Sequence, residues 1–511
     1  MLHTRRDFVR ALGAVGACAS VPSAFLPTET LRQRLAADPL RPQLHLLPSQ
    51  NWMNDPNGPI YWKGRYHMFF QCNPNAAVWG DMHWAHAVSP DMIHWRHLPV
   101  AIAPTPGWDD ADGCFTGSAV NDRGTPTLIY TGVKTVTPER ATLRDGVHNF
   151  REVQCLATSA DPGIRTWTKW KQPILQPPDD PLLTGFRDPF LWRDEQHWYL
   201  GVGSGLRKQG GRVLLYRSLN LRDWEYLHSL ASGNWTGRDS VNPVDSGEMW
   251  ECPDFFPLGG KHVLLYSTAG QVLWETGELD PKELVFHSQK RGALDHGAYY
   301  AQKTQLDANG NRILWGWIPE TRPAAEFSAA GWAGCMALPR VLSLGADGSL
   351  EMRFAPQVQS LRVKSVVSSQ FERQGPSVPP ARSLRDIQIE NLAGEFRWNT
   401  KSPRARFTLE DRGGPWWSMT IEPKEVSAAR ISVNGKTAEL PVEPQQGFSF
   451  DLMVDASVAE LICNTRHAFT TRIYRKPKGP LRVTVDDSES PSVENLEGWQ
   501  LRAISPDRLT S

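Results

Sequence analysis

Asp55, Asp188 and Glu251 each stand in a short motif bearing an aromatic residue and a proline: Trp52-Met-Asn-Asp-Pro-Asn-Gly58, Phe186-Arg-Asp-Pro-Phe190 and Trp250-Glu-Cys-Pro-Asp-Phe255. Paired carboxyl groups break glycosidic bonds. One, held protonated, gives its proton to the departing oxygen; another, ionised, attacks the carbon or stabilises the cation forming there. Crowding like charges in a partly dry pocket raises one of their pKa values and so divides the two roles. A lone Asp-Pro is ordinarily a turn or a cap. Three such motifs at corresponding places in a repeat carry a different meaning.

The repeat is a strand, a tight turn and a second strand. It occurs at Pro59–Phe70 around Lys63-Gly64, at Ala119–Gly132 around Asp122-Arg123-Gly124, and at Pro189–Gly201 around Arg193-Asp194-Glu195. It returns at Phe255–Thr268 around Gly259-Gly260 and at Gln305–Trp317 around Asn309-Gly310. Gly, Asp and Asn tolerate the backbone angles that hairpin turns demand. Ser89-Pro-Asp91, Ser159-Ala-Asp161 and Ser218-Leu-Asn220 follow strand-like runs, and each reads as a turn closing a blade with a buried Trp (Trp95, Trp167, Trp224) behind it. No long stretch has helical periodicity. The expected fold is all-β: a five-bladed β-propeller followed by a C-terminal β-sandwich. Taken as the middle strands of each blade, the hairpins place the preceding motifs on the channel strand. Asp112–Ser118 and Asp295–Tyr300 would be the counterparts in blades two and five.

At 511 residues the chain exceeds the roughly 250–300 at which one core stops growing, so two domains are expected. The 55 basic and 55 acidic residues balance, which argues against a nucleic-acid partner. No apolar run reaches the roughly 18–20 residues of a stable membrane span. Residues 1–24 resemble a twin-arginine export signal, with Arg5-Arg6 ahead of a mild apolar run from Ala11 to Val21. The propeller is expected over 40–350, a linker and the start of the second domain over 351–395, and the sandwich over 396–505. The second domain carries no acidic triad of its own. It is expected to stabilise the propeller by burying apolar surface, with Trp416-Trp417 either stacking on polysaccharide or packing between domains. Gly201-x-Gly203-x-Gly205 reads as a turn. The six cysteines after Cys18 have no metal-site spacing and are expected to be buried and free.

The three acidic motifs resemble the signatures of the invertase and β-fructosidase family, glycoside hydrolase family 32. Phe69–Pro74, Trp79–Trp84, Phe115–Ser118, Ile313–Trp317 and Val454–Glu460 extend the resemblance over most of the chain. It implies that Asp55 is the nucleophile, Glu251 the general acid and then base, and Asp188 the residue that holds fructose hydroxyls. It places Asn54, Gln71, Trp79, Phe115, Ser118 and Arg187 in the fructose pocket. It also implies retention of configuration, with nucleophile and acid roughly 5–5.5 Å apart, and neither metal nor cofactor. The implied activity is hydrolysis of terminal β-D-fructofuranosides, sucrose or inulin- or levan-type fructans, by an exported bacterial enzyme. A fructosyltransferase on the same site is the alternative, and a non-catalytic fructan-binding protein the third reading. Two positions depart from the family pattern, Thr116 in place of Ser and Cys72 in place of Tyr. Both are expected to touch the pocket wall rather than the carboxylates.

Overall fold

The computed structural model describes residues 29–369, 381–387, 389, 392–402, 404–425, 427–441, 447–486 and 493–506. The expected export signal and most of the Ser- and Pro-rich stretch from Gln370 lie outside the described residues. Its regular elements are mostly strands, with helices at Glu29–Ala37 and Ala324–Ala330 and two short 3-10 turns.

All five hairpins form. Their strands pair antiparallel at Asn51–Trp62 with Arg65–Asn73, Gly113–Asp122 with Thr125–Thr135, Leu183–Arg193 with Trp198–Leu206, Glu251–Leu258 with Lys261–Thr268, and Tyr300–Leu306 with Arg312–Ile318. Each hairpin opens its own sheet, and the first strands pack against one another in a closed cycle. Trp332–Ala333, following the fifth hairpin, then runs parallel to Asn51-Trp52 and joins the end of the cycle to its beginning. The three Ser-x-Asp/Asn turns form as expected, with the N–H of Asp91, Asp161 and Asn220 donating to the Ser hydroxyl. They link third strands to fourth. Of their tryptophans only Trp95 is buried; Trp167 and Trp224 are half-buried.

One expectation needs correcting. The hairpins are the first and second strands of each sheet, not the middle pair, so each acidic motif belongs to the same strand as its hairpin. Proline explains how. Pro56, Pro189 and Pro253 cannot donate a ladder hydrogen bond, and a strand tolerates that only at a sheet edge or a bulge. The innermost strands offer both. Their registers slip between Met53 and Pro56, Phe115 and Gly117, Arg187 and Phe190, Glu251 and Asp254, and Tyr300 and Lys303. Asp188, Cys252 and Ala301 sit there with φ of 63°, 49° and 56°. Such left-handed backbone costs a non-glycine residue of order 1–3 kcal/mol. Five bulges thus turn side chains toward the axis at one level. The expected turn at Gly201–Gly205 is instead part of a strand. A β-carbon at Gly203 would fall 2.5 Å from the Trp250 carbonyl oxygen, so the missing side chain lets the segment entering Glu251 lie against the third sheet.

The second domain is two facing sheets. One holds Arg362–Ser369, Ala393–Thr400, Phe448–Asp455, Val458–Cys463, His467–Arg472 and Val493–Leu501; the other includes Ala381–Ile387, Ala405–Asp411, Gly414–Glu425 and Leu481–Asp486. The stretch expected as linker and start of the second domain over 351–395 contributes two strands to the sandwich, and its first residues belong to Leu350–Phe354 of the fifth propeller sheet. Trp416 and Trp417 are buried in the sandwich's own core, so they neither stack on a ligand nor pack between domains.

The seam between the domains is partly apolar, with Val458, Ile462 and Ala468 in the same cluster as propeller residues. Its centre is charged. His45 is clamped by Asp455 Oδ2 at 2.7 Å and Glu460 Oε1 at 2.9 Å; Arg340 reaches Glu460 Oε2 at 2.7 Å and Asp295 Oδ2 at 3.1 Å. Burial opposes charge on His45, but its two carboxylate partners outweigh it and raise the pKa to about 9. A value above the free 6.5 means that the stabilisation is complete below about pH 6.5 and is lost as pH rises through about 9. That is worth roughly 3 kcal/mol at 1.36 kcal/mol per unit. His45→Gln should therefore melt well below wild type at pH 6, and the gap should close by pH 10. A gap independent of pH would show that His45 does not carry its charge in the fold.

Candidate active site

The five bulges bring Asp55, Thr116, Asp188, Cys252 and Gln302 together at the propeller axis. Asp55 is fully buried. Thr116 donates to its Oδ2 at 2.7 Å and accepts from Gln71 Nε2; Asn54 Nδ2 donates to Asp55 Oδ1 at 2.9 Å and to Gln71 Oε1 at 3.0 Å. Trp52 fixes Asn54 in turn, its indole N–H donating to Oδ1 at 2.7 Å. The nucleophile candidate is thus held in a closed ring of side chains that leaves it little rotational freedom.

Asp188 accepts the Cys252 peptide N–H at 2.9 Å, while its own N–H donates to Thr131 Oγ1. Cys252 Sγ lies 3.5 Å from an oxygen of both Asp55 and Asp188, and Gln302 fixes the Cys252 carbonyl. Burial pushes the Asp188 carboxyl up to about 6; Glu251 and Asp55 push the same way, and Arg187 and the Cys252 N–H pull it back. Glu251 accepts from Arg187 Nε and Nη2 through Oε1, at 3.2 and 3.0 Å, and from the Tyr300 hydroxyl through Oε2 at 2.8 Å. Arg187 spends its remaining amino group, Nη1, on Glu152 at 2.8 Å. Burial disfavours the guanidinium charge, yet Glu152, Glu251 and Asp188 together hold it firmly ionised.

A cavity of about 410 Å³ opens above Glu251 and Tyr300, with Trp52, Trp79 and Phe115 on its wall. Trp79 meets Phe115 edge-on at 5.8 Å. An aromatic wall beside carboxylates suits a sugar: apolar ring faces stack, and the acids reach the acetal carbon and oxygen. Asp55, Asp188, Glu251, Asn54, Gln71, Trp79, Phe115 and Arg187 thus gather around one site. Ser118 does not join the ring on Asp55. It lies beyond the Thr116 bulge, and its hydroxyl donates to the Pro189 carbonyl, tying the second sheet to the third. Asp112 is exposed and accepts from Thr135 N–H, and Asp295 belongs to the domain seam; neither reaches the carboxylates. Thr116 touches Asp55 directly, contrary to expectation, whereas Cys72 faces the opposite side of its strand, in the core with Met53.

Sequence reasoning missed Glu152, Thr131 and Lys303, and left Tyr300 without a role. Glu152 also accepts from Phe186 N–H and Thr142, so it anchors the entry to the Asp188 motif. Buried Lys303 caps the Pro189 and Pro253 carbonyls at 3.2 and 3.0 Å, satisfying the backbone beside two of the bulges. One signal was present: Glu152 and Gln154 alternate in the strand Asn149–Thr158 with apolar Val153 and Cys155, which puts both polar residues on one face. Among the described residues no group of three or more His, Cys, Asp or Glu is placed to hold a metal ion, and all six described cysteines are buried and free.

Residues 45–354 match the family described as Glycosyl hydrolases family 32 N-terminal domain. The chain is 40% identical over 461 residues to a sucrose-6-phosphate hydrolase of Escherichia coli, covering 86% of this chain and 90% of that one. It is 40% identical over 466 residues to a raffinose invertase of Escherichia coli, covering 85% and 89%. Among solved structures, a Bombyx mori family 32 β-fructofuranosidase superposes with TM-score 0.74 at 31% identity, over 94% of this chain and all of that one. Fructan 1-exohydrolase IIa of Cichorium intybus superposes with TM-score 0.76 at 25% identity, over 91% and 98%.

The Thr116 hydroxyl is the direct donor to the Asp55 oxygen it meets. A hydrogen bond to a charged group contributes about 1.5–3 kcal/mol, so Thr116→Val should lower kcat roughly tenfold to a hundredfold. Thr116→Ser, which keeps the hydroxyl, should stay within about threefold of wild type. Equal losses in both variants, with unchanged melting, would mean that the methyl group matters rather than the hydrogen bond.

Proposed function

The chain belongs to glycosyl hydrolase family 32, and on that footing we propose that it hydrolyses terminal β-D-fructofuranosides, sucrose foremost, with retention of configuration through a fructosyl-enzyme ester on Asp55. The observation that carries this reading is that Asp55, locked by Thr116 and Asn54, and Glu251, held by Arg187 and Tyr300, meet around Cys252, which follows Glu251 in the chain and whose Sγ lies 3.5 Å from an oxygen of Asp55. Glu251 gives its proton to the glycosidic oxygen as Asp55 Oδ closes on the anomeric carbon. The leaving sugar departs with that proton. Glu251 then takes a proton from water, whose oxygen displaces Asp55. Asp188, beside both, holds ring hydroxyls as positive charge develops on the fructosyl ring.

The role assignment has a differential consequence. Asp55→Ala and Glu251→Ala should each lower kcat on sucrose by about a thousandfold or more, with melting temperatures near wild type. Glu251→Ala should recover on a fructoside with an activated leaving group, which departs without a proton, whereas Asp55→Ala should not. Near wild-type turnover in either variant would refute the assignment. Longer oligosaccharides from concentrated sucrose would identify transfer rather than hydrolysis.

We also propose that the protein is exported and that inulin- or levan-type fructans are among its substrates. Export is supported by Thr4-Arg-Arg-Asp-Phe8 followed by the short apolar run to Val21. Replacing Arg5 and Arg6 together by Lys should leave the enzyme in the cytoplasm of a twin-arginine-competent bacterium, as read by fractionation. Unimpaired secretion of the double variant would refute that route.

A further inference from the structure

Asp188, Glu251 and Glu152 share one guanidinium, that of Arg187. A second buried cation stands on the same axis. Lys303, on the strand Tyr300–Leu306, is 1% exposed. Its ammonium lies 3.0 Å from the Pro253 carbonyl oxygen, 3.2 Å from that of Pro189 and 3.5 Å from that of Asp188. All three partners are neutral, and among the described residues Lys303 makes no ion pair. Carbonyl dipoles replace only part of the hydration that a buried ammonium gives up, so opposite charge is needed nearby.

Cys252 shows where that charge is. Its peptide N–H donates to Asp188, its Sγ lies 3.5 Å from both Asp55 and Asp188, and the next carbonyl along the chain is one that Lys303 holds. Asp188 presents its carboxylate to Cys252 and its own carbonyl to Lys303. Burial first, then Asp188, Asp55 and Glu251, push the Cys252 thiol up, and Lys303 pulls it back, so the ammonium is felt inside the cluster. The other groups facing this part of the axis do not take up its charge. Asp254 accepts from the Thr304 N–H and hydroxyl, and the Arg312 cation bears on it. The second sheet brings only the neutral Thr116.

We propose that Lys303 is a positioning residue of the reaction, the second counter-ion of Asp55, Asp188 and Glu251, acting on them across the bulges whose carbonyls it caps. The inference rests on the fructosidase reading and adds a residue to its machinery. A unit charge several ångströms away moves a titration by about one pH unit or more at the screening typical of protein interiors. Loss of a cation makes nearby carboxyl groups hold their protons more tightly. Lys303→Gln keeps N–H donors for the carbonyls but carries no charge. Both limbs of its kcat/KM profile on sucrose should therefore move to higher pH by about one unit. Lys303→Arg, which keeps the charge, should return both limbs toward wild type. Limbs in Lys303→Gln that superimpose on those of wild type would overturn the proposal and leave carbonyl capping as the residue's whole part.

Melting gives a readout that needs no turnover. At about pH 8 Asp188, whose pKa is raised to about 6, is ionised. The fall in melting temperature caused by Lys303→Gln should then be about half or less in an Asp188→Asn background. If Lys303→Gln alone does not fold, that background should restore folding. An equal fall in both backgrounds, or no restoration, would overturn the proposal. A folded wild type that leaves sucrose intact at every pH would instead overturn the fructosidase reading, and the melting comparison would still decide whether the Lys303 charge acts on Asp188.

Discussion

Three buried carboxylates, Asp188, Glu251 and Glu152, surround a single guanidinium, that of Arg187, and a fourth, Asp55, meets Asp188 across Cys252 Sγ. Unit charges a few ångströms apart in a protein interior repel by several kcal/mol even with generous screening. Full ionisation of the set is therefore costly, and the rise of Asp188 to about 6 is one expression of that pressure. Arg187 relieves part of it, but Glu152 claims one end of the guanidinium, so Glu251 faces a cation whose charge is shared. A general acid needs such a neighbour: enough to hold the carboxyl in place, too little to strip its proton permanently. On the proposed reading, this incomplete balance is what would let one carboxyl act as acid while another acts as nucleophile.

Holding these groups together requires a rigid frame, and the propeller supplies it through irregularity at its centre. Each innermost strand slips register at the same level, and three of the five carry a proline within or beside the slip. Lys303 and Gln302, from the fifth sheet, satisfy carbonyls that those slips expose. The sandwich acts on the same frame from outside. Arg340 and Asp295, both in the propeller, find buried partners in Glu460 and Thr470 of the second domain. Removing one partner of a buried pair is expensive, because the other charge is left uncompensated. The second domain also brings Asn434, Lys436 and Arg472 to the wall of the catalytic cavity. It is thus part of the site's boundary as well as a support.

Asp55, Asp188 and Glu251 were legible in the sequence because proline and a repeated hairpin mark their positions locally, and the turn residues placed all five hairpins correctly. What could not be read were features that depend on which strand faces which. The hairpins' place at the inner edge follows from how proline is accommodated, not from periodicity. Ser118 and Thr116 are two residues apart, yet a bulge between them sends one to Pro189 and the other to Asp55. Glu152 carries no motif and gains its meaning only when the third strand of the second sheet comes beside Arg187. Asp295 looked like a catalytic counterpart because its position in the repeat is right, but it is taken up by Arg340 and by Thr470 of the other domain, more than a hundred residues onward. Trp416-Trp417 read as stacking on polysaccharide or packing between domains; a register slip between Pro415 and Trp417 accompanies the burial of both in the domain's own core.

The central claim is that Asp55 forms a covalent bond to the fructosyl unit while Glu251 handles the proton. Rapid acid quenching of Glu251→Gln during turnover of a fructoside with an activated leaving group tests it most directly, because the first step proceeds while water attack lacks its base. Tryptic mapping should then find one hexosyl ester, on the peptide from Leu35 to Lys63, with the bond at Asp55. An unmodified enzyme under conditions where the leaving group is released in a stoichiometric burst, or a hexosyl ester on Asp188 instead, would contradict the account.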